Sequence, residues 1–185
     1  MKDNRKRCVW CNRKNPKYIE YHDLEWGHPD FREEYLYEML ILESFQAGLS
    51  WECVLNKREN FREAYDGFCL DKVCGYGESK VAELMANPGI IRNRRKIEAS
   101  INNSRVFKEI QQEYSSFYRY LTGFAGTGTL YETGQTRNAL SDAVSKDLKK
   151  RGMKFVGTTI IYSYLQAIGM ISSHDRDCFL YRTAP

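Results

Sequence analysis

The sequence is organised around residues 42–51, which read LESFQAGLSW. Upstream of this stretch, Leu36, Met39 and Leu40 recur at the spacing of one helical face, and Glu43 falls on that face one turn later. A carboxylate on the apolar face of a helix costs free energy unless a cation or a hydrogen-bond donor meets it. Glu43 is therefore the first candidate for a functional residue.

The end of the same stretch predicts a tight turn between two helices. Gly48 breaks the first helix, Ser50 is a plausible N-cap, and Trp51 begins the second helix. A buried acid and a large aromatic ring on either side of such a turn suit a pocket for a flat, positively charged ligand. The pattern alone favours a plainer interpretation, in which Glu43 lies on the surface and Trp51 belongs to the core.

Length and composition limit the class of protein. The 185 residues suffice for one domain, residues 1–185, and their net charge of +4 permits nucleic-acid binding without requiring it. The polar N-terminus is unlike a signal peptide, and no apolar run reaches the length of a membrane span. We expect a soluble intracellular protein without membrane association, cytoplasmic if its source is bacterial. Its six cysteines are then better interpreted as thiols or metal ligands than as disulfides.

Helical periodicity dominates the chain, and no alternating strand pattern of useful length is present, so we predict an all-α fold. Residues 1–30 have no periodic apolar face and are expected to be irregular, and residues 123–138 form the longest predicted loop. The predicted helices cover residues 31–47 with Asp30 as cap, 51–67, a short turn from Asp71, a segment from Ser79, a long helix from Ile90 that breaks near 102–104, then 141–151 and 158–167.

Four cations crowd the first turns of the long helix, namely Arg92, Arg94, Arg95 and Lys96. The helix dipole makes this a poor place for positive charge. Contact with an anion is one explanation, and simple solvation is the commoner one.

Residues 141–169 carry the best nucleic-acid signal. A basic amphipathic helix and an apolar helix are joined by residues 152–157, with Gly152 and Gly157 at the two ends, which describes a helix-hairpin-helix. Backbone N–H groups freed by Gly157 can hold a phosphate, and Lys154 adds a positive charge. By pattern alone, an ordinary corner between two helices is an equally good interpretation.

The two ends of the chain together offer a metal site. His174 and Cys178 lie one helical turn apart, and Cys8 and His22 near the other end complete a tetrahedral set of zinc ligands. Such a site would explain how an aperiodic N-terminal segment stays ordered. Cys11 and His28 remain rival ligands.

Six different motifs follow one another along almost the whole chain. Together they are far more specific for a protein family than any one of them. They are CxW at 8–10, YIxYHDxEWG at 18–27, LExxQAGLSW at 42–51, KREN at 57–60, GIIRNR at 89–94 and KKRGxKFVGTT at 149–159. With these stretches the chain resembles the 3-methyladenine DNA glycosylase I family of helix-hairpin-helix base-excision enzymes.

The resemblance implies a fold and a function. The fold would be that of a helix-hairpin-helix DNA glycosylase, with residues 141–169 as the helix-hairpin-helix and with termini 1–30 and 170–185 clasped by one structural zinc ion on Cys8, His22, His174 and Cys178. The enzyme would remove 3-methyladenine from alkylated double-stranded DNA and release the free base. We expect it to act as a monomer.

Roles for individual residues follow from the same resemblance. Glu43, the residue to which we assign catalysis, and Tyr21 would recognise the edge of the extruded base, and Trp51 would stack on its face. Trp10 and Tyr18 would complete the pocket. The remaining residues would contact DNA: Leu49 as a wedge in the gap left by the base, and Gly152, Lys154, Gly157, Thr158 and Thr159 on the backbone.

Two departures accompany the resemblance. The segment between Trp10 and Tyr18 is one residue longer than expected, which keeps Cys11 as a competitor of Cys8. Ser172 and Ser173 stand where many helix-hairpin-helix glycosylases carry an aspartate. A second hypothesis is a zinc-stabilised module that binds DNA lesions without hydrolysis, although such a module would have no need of Glu43 and its aromatic neighbours.

Overall fold

The computed structural model describes residues 4–183, so the predictions that touch residues 1–3 and 184–185 lie outside it. Within that span the chain is mostly helical, as predicted, with one short pair of strands in addition. The elements are α1 (Pro16–Leu24), α2 (Glu33–Gln46), α3 (Trp51–Leu55), α4 (Arg58–Ala64), a 3₁₀ turn (Asp66–Phe68), α5 (Leu70–Cys74), α6 (Glu78–Ala86), α7 (Arg94–Tyr114), α8 (Phe117–Ala125), β1 (Leu130–Tyr131), α9 (Ala139–Lys150), α10 (Thr158–Ala167) and β2 (Ile171–Ser172).

Helix α2 lies at the centre of the molecule. It packs against α3, α7, α8 and α10, and its residues from Leu36 to Phe45 are buried apart from Glu38. A helix that is apolar nearly all round needs this kind of enclosure. It begins at Glu33 rather than at residue 31, because the Asp30 carboxylate binds the backbone and the guanidinium of Arg32.

The prediction that residues 1–30 are irregular was wrong, because α1 lies within them. Asn15 caps this helix by accepting the backbone N–H of Lys17, and Pro16 occupies its first position. The buried face consists of Tyr18, Tyr21 and His22, at helical spacing. Because tyrosine and histidine carry polar groups at the ends of their side chains, the sequence pattern did not reveal this face as an apolar stripe.

The predicted helix over residues 51–67 is two helices and a turn. The chain leaves α3 at Asn56 and begins α4 at Arg58, whose guanidinium is drawn inward. Its Nε lies 2.6 Å from Glu38 of α2, and its Nη1 lies 2.7 Å from Glu25 just after α1. These two ion pairs of the buried Arg58 link α4 to α2 and to the end of α1, at the point where the predicted helix divides.

Helix α7 is continuous, so the break predicted near residues 102–104 was wrong. It begins at Arg94 with Asn93 as cap. Asn102 donates to the carbonyl of Gly152 at 2.8 Å, and Asn103 both donates to and accepts from the backbone of Lys154, each at 2.8 Å. The asparagines that resembled a helix break are the residues that hold the connection between α9 and α10.

The α9–α10 pair follows the predicted plan with small shifts. Helix α9 begins at Ala139, because Asn138 and Ser141 form a capping box, and α10 has the predicted bounds Thr158–Ala167. Residues 151–157 join the two helices, with Gly152 and Phe155 both at positive φ. No helix among residues 4–183 is long and apolar enough to span a membrane.

A short parallel pairing fixes the long loop before α9. Leu130 of β1 lies opposite Ile171 of β2, and Tyr131 lies opposite Ser172. Between α10 and β2, Gly169 adopts φ +77°, and a Cβ atom there would lie 2.3 Å from the backbone nitrogen of Pro29. The N-terminal segment therefore runs directly against the end of α10, where only glycine fits.

Candidate active site and metal cluster

Glu43 projects from α2 into a cavity and is 3% exposed. Burial raises the pKa of its carboxyl from the usual 4.5 to about 8. Its Oε2 atom has no hydrogen-bond partner among residues 4–183. A buried carboxyl without a partner is costly, and such groups are typical of binding sites that a ligand completes.

Aromatic rings from two helices lie beside this carboxyl. Trp51 begins α3, where Ser50 caps the helix as predicted by accepting the N–H of Cys53. The ring of Trp51 lies 5.3 Å from that of Tyr21 on α1. Within the described chain the buried Nε1 of Trp51 is also unpaired. Burial, reinforced by Glu43, raises the pKa of the Tyr21 phenol well above its usual range, so Tyr21 is a hydrogen-bond donor at neutral pH.

The remaining predicted pocket residues form a second aromatic wall. The ring of Trp10 lies 5.3 Å from that of Tyr18 and 4.8 Å from that of Trp26. The structure thus brings Trp10, Tyr18, Tyr21, Glu43 and Trp51 around one cavity of about 380 Å³, a size suited to a small flat ligand.

The cavity has further lining residues that the sequence did not reveal. Ser163 and Gln166 are half-buried positions one turn apart on α10, and this spacing was a usable signal. Asp175 also lines the cavity, and its Oδ2 accepts the N–H of Val9 at 2.7 Å. The others are Trp26, Gln46, Gly134, Gln135, Thr136 and Ser173.

The four predicted metal ligands meet in one buried cluster. The ligand atoms of Cys8, His22, His174 and Cys178 all lie within 4.8 Å of one another. Cys8 Sγ is 3.4 Å from Nδ1 of His174, and Cys178 Sγ is 3.5 Å from Nε2 of His22. Burial lowers the pKa of both imidazoles, that of His174 to about 4, so both rings are neutral, which is the form that binds metals.

Surrounding groups orient this cluster. Nδ1 of His22 lies 2.8 Å from Asp23, and Arg7 holds the same carboxylate at 2.6 Å. Backbone N–H groups of Asp175 and Leu180 point at the two sulfur atoms, at 3.3 and 3.5 Å. A carboxylate behind a histidine and N–H groups aimed at sulfur are common in metal sites.

The rival ligands lie elsewhere. Cys11 is buried, but its thiol faces the carbonyl of Tyr18 at 3.7 Å, and His28 lines two other cavities. His174 and Cys178 stand in a turn and not in the helical turn that we expected, and the N–H of Cys178 bonds to the carbonyl of Asp175. A turn of this kind brings both ligands to one side as effectively as a helix.

The candidate DNA contacts lie on exposed turns. Leu49 is 39% exposed at the α2–α3 turn. Gly152, Lys154 and Thr159 are exposed around the α9–α10 connection, with Gly157 as the N-cap of α10. The hydroxyl of Thr158 also binds Asp142 and Ser141 of α9. Its side chain therefore helps to hold the two helices together.

Comparison with known proteins identifies this arrangement. Residues 10–181 match the methyladenine glycosylase family. The chain belongs to this family. It is 43% identical over 181 residues to DNA-3-methyladenine glycosylase 1 of Escherichia coli (strain K12), a match that covers 95% of this chain and 96% of that protein.

Solved structures agree with the family assignment. A crystal structure of 3-methyladenine DNA glycosylase I superposes with a TM-score of 0.91 at 42% identity, covering 96% of this chain and all of that one. A single-substitution variant of 3-methyladenine DNA glycosylase I in complex with 3-methyladenine superposes with a TM-score of 0.90 at 31% identity, covering 97% of this chain and 99% of that one. The likeness therefore includes a relative that binds the methylated base.

The buried carboxyl of Glu43 makes the stability of this methyladenine glycosylase depend on pH. Glu43 binds its proton more tightly in the folded chain than in the unfolded one, so its unfavourable contribution is absent below about pH 4.5 and complete above about pH 8. We predict that Glu43→Gln raises the free energy of unfolding relative to wild type increasingly between these limits. At pH 9 the gain should be at least about 2 kcal/mol, since one pKa unit corresponds to about 1.4 kcal/mol.

Urea unfolding at pH 5 and pH 9 measures this difference. Glu83→Gln is the matched control, because Glu83 is exposed beside Lys80 and should show little change at either pH. A Glu43→Gln effect that is equal at both values would contradict the prediction.

Proposed function

We propose that this protein is a monofunctional DNA glycosylase that hydrolyses the N-glycosidic bond of 3-methyladenine in alkylated DNA and so initiates base excision repair. The observation that carries the proposal is the buried, unpaired carboxyl of Glu43 in an aromatic cavity, in a chain of the methyladenine glycosylase family. A protein that only binds the DNA backbone would gain nothing from this costly group.

The chemistry of the lesion explains what such a cavity has to do. Methylation at N3 makes adenine cationic, so the base leaves as a neutral molecule and needs little acid catalysis. The protein must extrude the nucleotide, recognise the base and shield the oxocarbenium-like sugar until water adds. Because the damage weakens both the bond and the base pair, selective binding is sufficient for selective excision.

Two features of the cavity suit a cationic purine. Ionised Glu43 would attract the positive ring and accept from its edge, and Tyr21 would contribute a second polar contact. The face of Trp51 would stack on the base and add a cation–π attraction of up to about 2 kcal/mol in a desolvated site. Trp10 and Tyr18 would close the opposite side.

We further propose that Cys8, His22, His174 and Cys178 hold one structural zinc ion. Tetrahedral zinc bonded to sulfur at about 2.3 Å and nitrogen at about 2.05 Å would place these atoms about 3.5 Å apart. Three sulfur–nitrogen separations in the cluster are 3.4 to 3.6 Å, and all four ligand atoms lie within 4.8 Å of one another. Four protein ligands leave no position for water, so the ion would supply stability and take no part in hydrolysis.

Contact with DNA is assigned to residues 141–169 as a helix-hairpin-helix within a single domain. Backbone N–H groups at Gly157 and Thr158 would bind a phosphate, helped by the exposed ammonium of Lys154, while Leu49 would fill the gap left by the base. A glycosylase that also cuts the strand needs an amine for a Schiff base. The start of α10 offers Thr158 and Thr159 instead.

The proposed function predicts excision itself. Wild-type protein incubated with methylated DNA should release free 3-methyladenine, detected by chromatography, and Glu43→Gln should slow the release about tenfold or more because it removes the attracting charge. Glu83→Gln is again the control. A wild-type protein that binds the DNA and releases no base would support the lesion-binding module, and a covalent adduct trapped by borohydride would contradict monofunctional hydrolysis.

DNA affinity should depend on the hairpin. Lys154→Ala is predicted to weaken binding to damaged and undamaged duplex alike and to lower the salt slope by about one phosphate contact. Lys72→Ala is the matched control, because Lys72 lies on α5, in another part of the fold, and pairs with Asp66 of the 3₁₀ turn. If only damaged DNA lost affinity, Lys154 would belong to the base pocket.

Metal content should match the cluster. Protein purified without added metal is predicted to contain about one zinc per chain by elemental analysis. Cys178→Ser should lose the ion and unfold at lower temperature, with activity falling as a consequence, whereas Cys11→Ser should keep the ion. A metal-free protein with full stability would refute the site, and zinc lost only with Cys11 would refute the choice of ligands.

A further inference from the structure

One buried cation of α7 has no place in the function described so far. Lys96 stands in the first turn of this helix and is 7% exposed. Its Nζ atom lies 2.8 Å from the carbonyl oxygen of Phe45 and 2.6 Å from that of Ala47. The sequence suggested an anion contact or solvation for Lys96, and the structure shows neither.

The position is costly on two counts. The dipole of α7 disfavours positive charge in its first turn, and burial lowers the pKa of the Lys96 ammonium. The end of α2 offsets both costs, because the last carbonyl groups of a helix have no partner inside it and form the negative end of its dipole. Lys96 thus caps two carbonyl groups at the C-terminal end of α2, those of Phe45 and Ala47.

The carbonyls that Lys96 holds belong to the α2–α3 turn. Ala47 leaves the helix with ψ 114°, Gly48 follows at φ +78°, and the N–H of Leu49 returns to the carbonyl of Gln46 at 2.7 Å. Leu49 lies at the tip of this turn. Glu43 lies one helical turn before Ala47, where the turn begins, and Trp51 follows directly after the turn. Movement of the turn would therefore displace both the wedge and the base pocket.

The same helix also holds the α9–α10 connection. Lys96 Nζ lies 5.8 Å from the ring centre of Phe155, and further along α7 Asn102 and Asn103 bind the backbone of Gly152 and Lys154. One rigid helix therefore joins the turn that carries Leu49 to the connection proposed to grip DNA.

We propose that Lys96 is a positioning residue that fixes the α2–α3 turn relative to the α9–α10 connection. A DNA backbone bound by that connection is then aligned with Leu49 and with the base pocket. This inference rests on the proposed function. In this role the 7% exposed Lys96 acts through the carbonyls of Phe45 and Ala47, and we expect it to contact neither the base nor the DNA.

The test uses Lys96→Met, which keeps the apolar stem and removes the donor. Single-turnover excision should fall about tenfold or more, because a small displacement of positioned groups is costly. Affinity for undamaged duplex should change less than about twofold, since no phosphate contact is lost. Lys96→Arg should restore part of the rate, and Lys108→Met, on the exposed side of α7, is the matched control.

A second readout does not require excision. A duplex with 2-aminopurine beside a tetrahydrofuran abasic-site analogue reports insertion of the wedge as a fluorescence change, and Lys96→Met should lose most of that change. Gly48→Ala tests the turn and leaves Lys96 unchanged. A Cβ atom at residue 48 would meet no atom within 4 Å, so the substitution is disfavoured only by the positive φ of that residue. It should also slow excision and leave undamaged-duplex affinity unchanged.

The outcomes separate the two proposals. Wild-type excision and fluorescence in a folded Lys96→Met protein would overturn the role of Lys96, as would an equal loss of affinity for all DNA. If Lys96→Met does not fold, Gly48→Ala decides, and wild-type behaviour there would overturn the inference. Failure of the wild-type protein to release any base would refute the proposed function instead, while the fluorescence measurement would still test the turn.

Discussion

The pocket depends on the meeting of two distant segments of the chain. Cys8 and His22 from the N-terminal segment join His174 and Cys178 in one buried cluster, and the rings around the cluster are also the rings of the pocket. The ring of Trp10 lies 5.2 Å from that of His22, and Trp26 lies 4.7 Å from His174. Whatever holds the cluster together therefore holds one wall of the base cavity against Glu43 and Trp51.

The opposite wall contains the carboxyl of Glu43, whose charged form is disfavoured by the surrounding core. Glu43 lies on the most enclosed helix of the protein, where burial keeps its carboxyl protonated at neutral pH. A cationic base entering the cavity would favour the ionised form by opposite charge, so binding and loss of the proton would be coupled. A neutral purine offers no such compensation. If Glu43 recognises the base as proposed, the cost of burying it would help the protein to discriminate damaged from normal bases.

Residue patterns predicted those parts of the protein that local chemistry determines. Local sequence was sufficient to predict the acid on an apolar face, the capped helix that begins at Trp51 and the paired Cys and His residues. Helix periodicity and ligand type both depend on residues that are close together in the sequence. The buried face of α1 was missed because Tyr18, Tyr21 and His22 count as polar. Asn102 and Asn103 suggested a helix break, since asparagine favours turns, yet their partners lie about fifty residues away. Gln135 and Thr136 line the cavity from the loop between β1 and α9, a placement that no local pattern reveals.

The long sequence separation within the cluster has a consequence for biosynthesis. Cys8 and His174 are 166 residues apart, so a ribosome releases the first thiol long before its partners exist. During translation Cys8 and Cys11 would be accessible to oxidants and to other metal ions, and α1 would lack the surface on which it packs. Because the cluster needs His174 and Cys178, it can be completed only after nearly the whole chain has been synthesised. Oxidation of these thiols would then reduce the yield of folded protein at synthesis more than it harms molecules already folded.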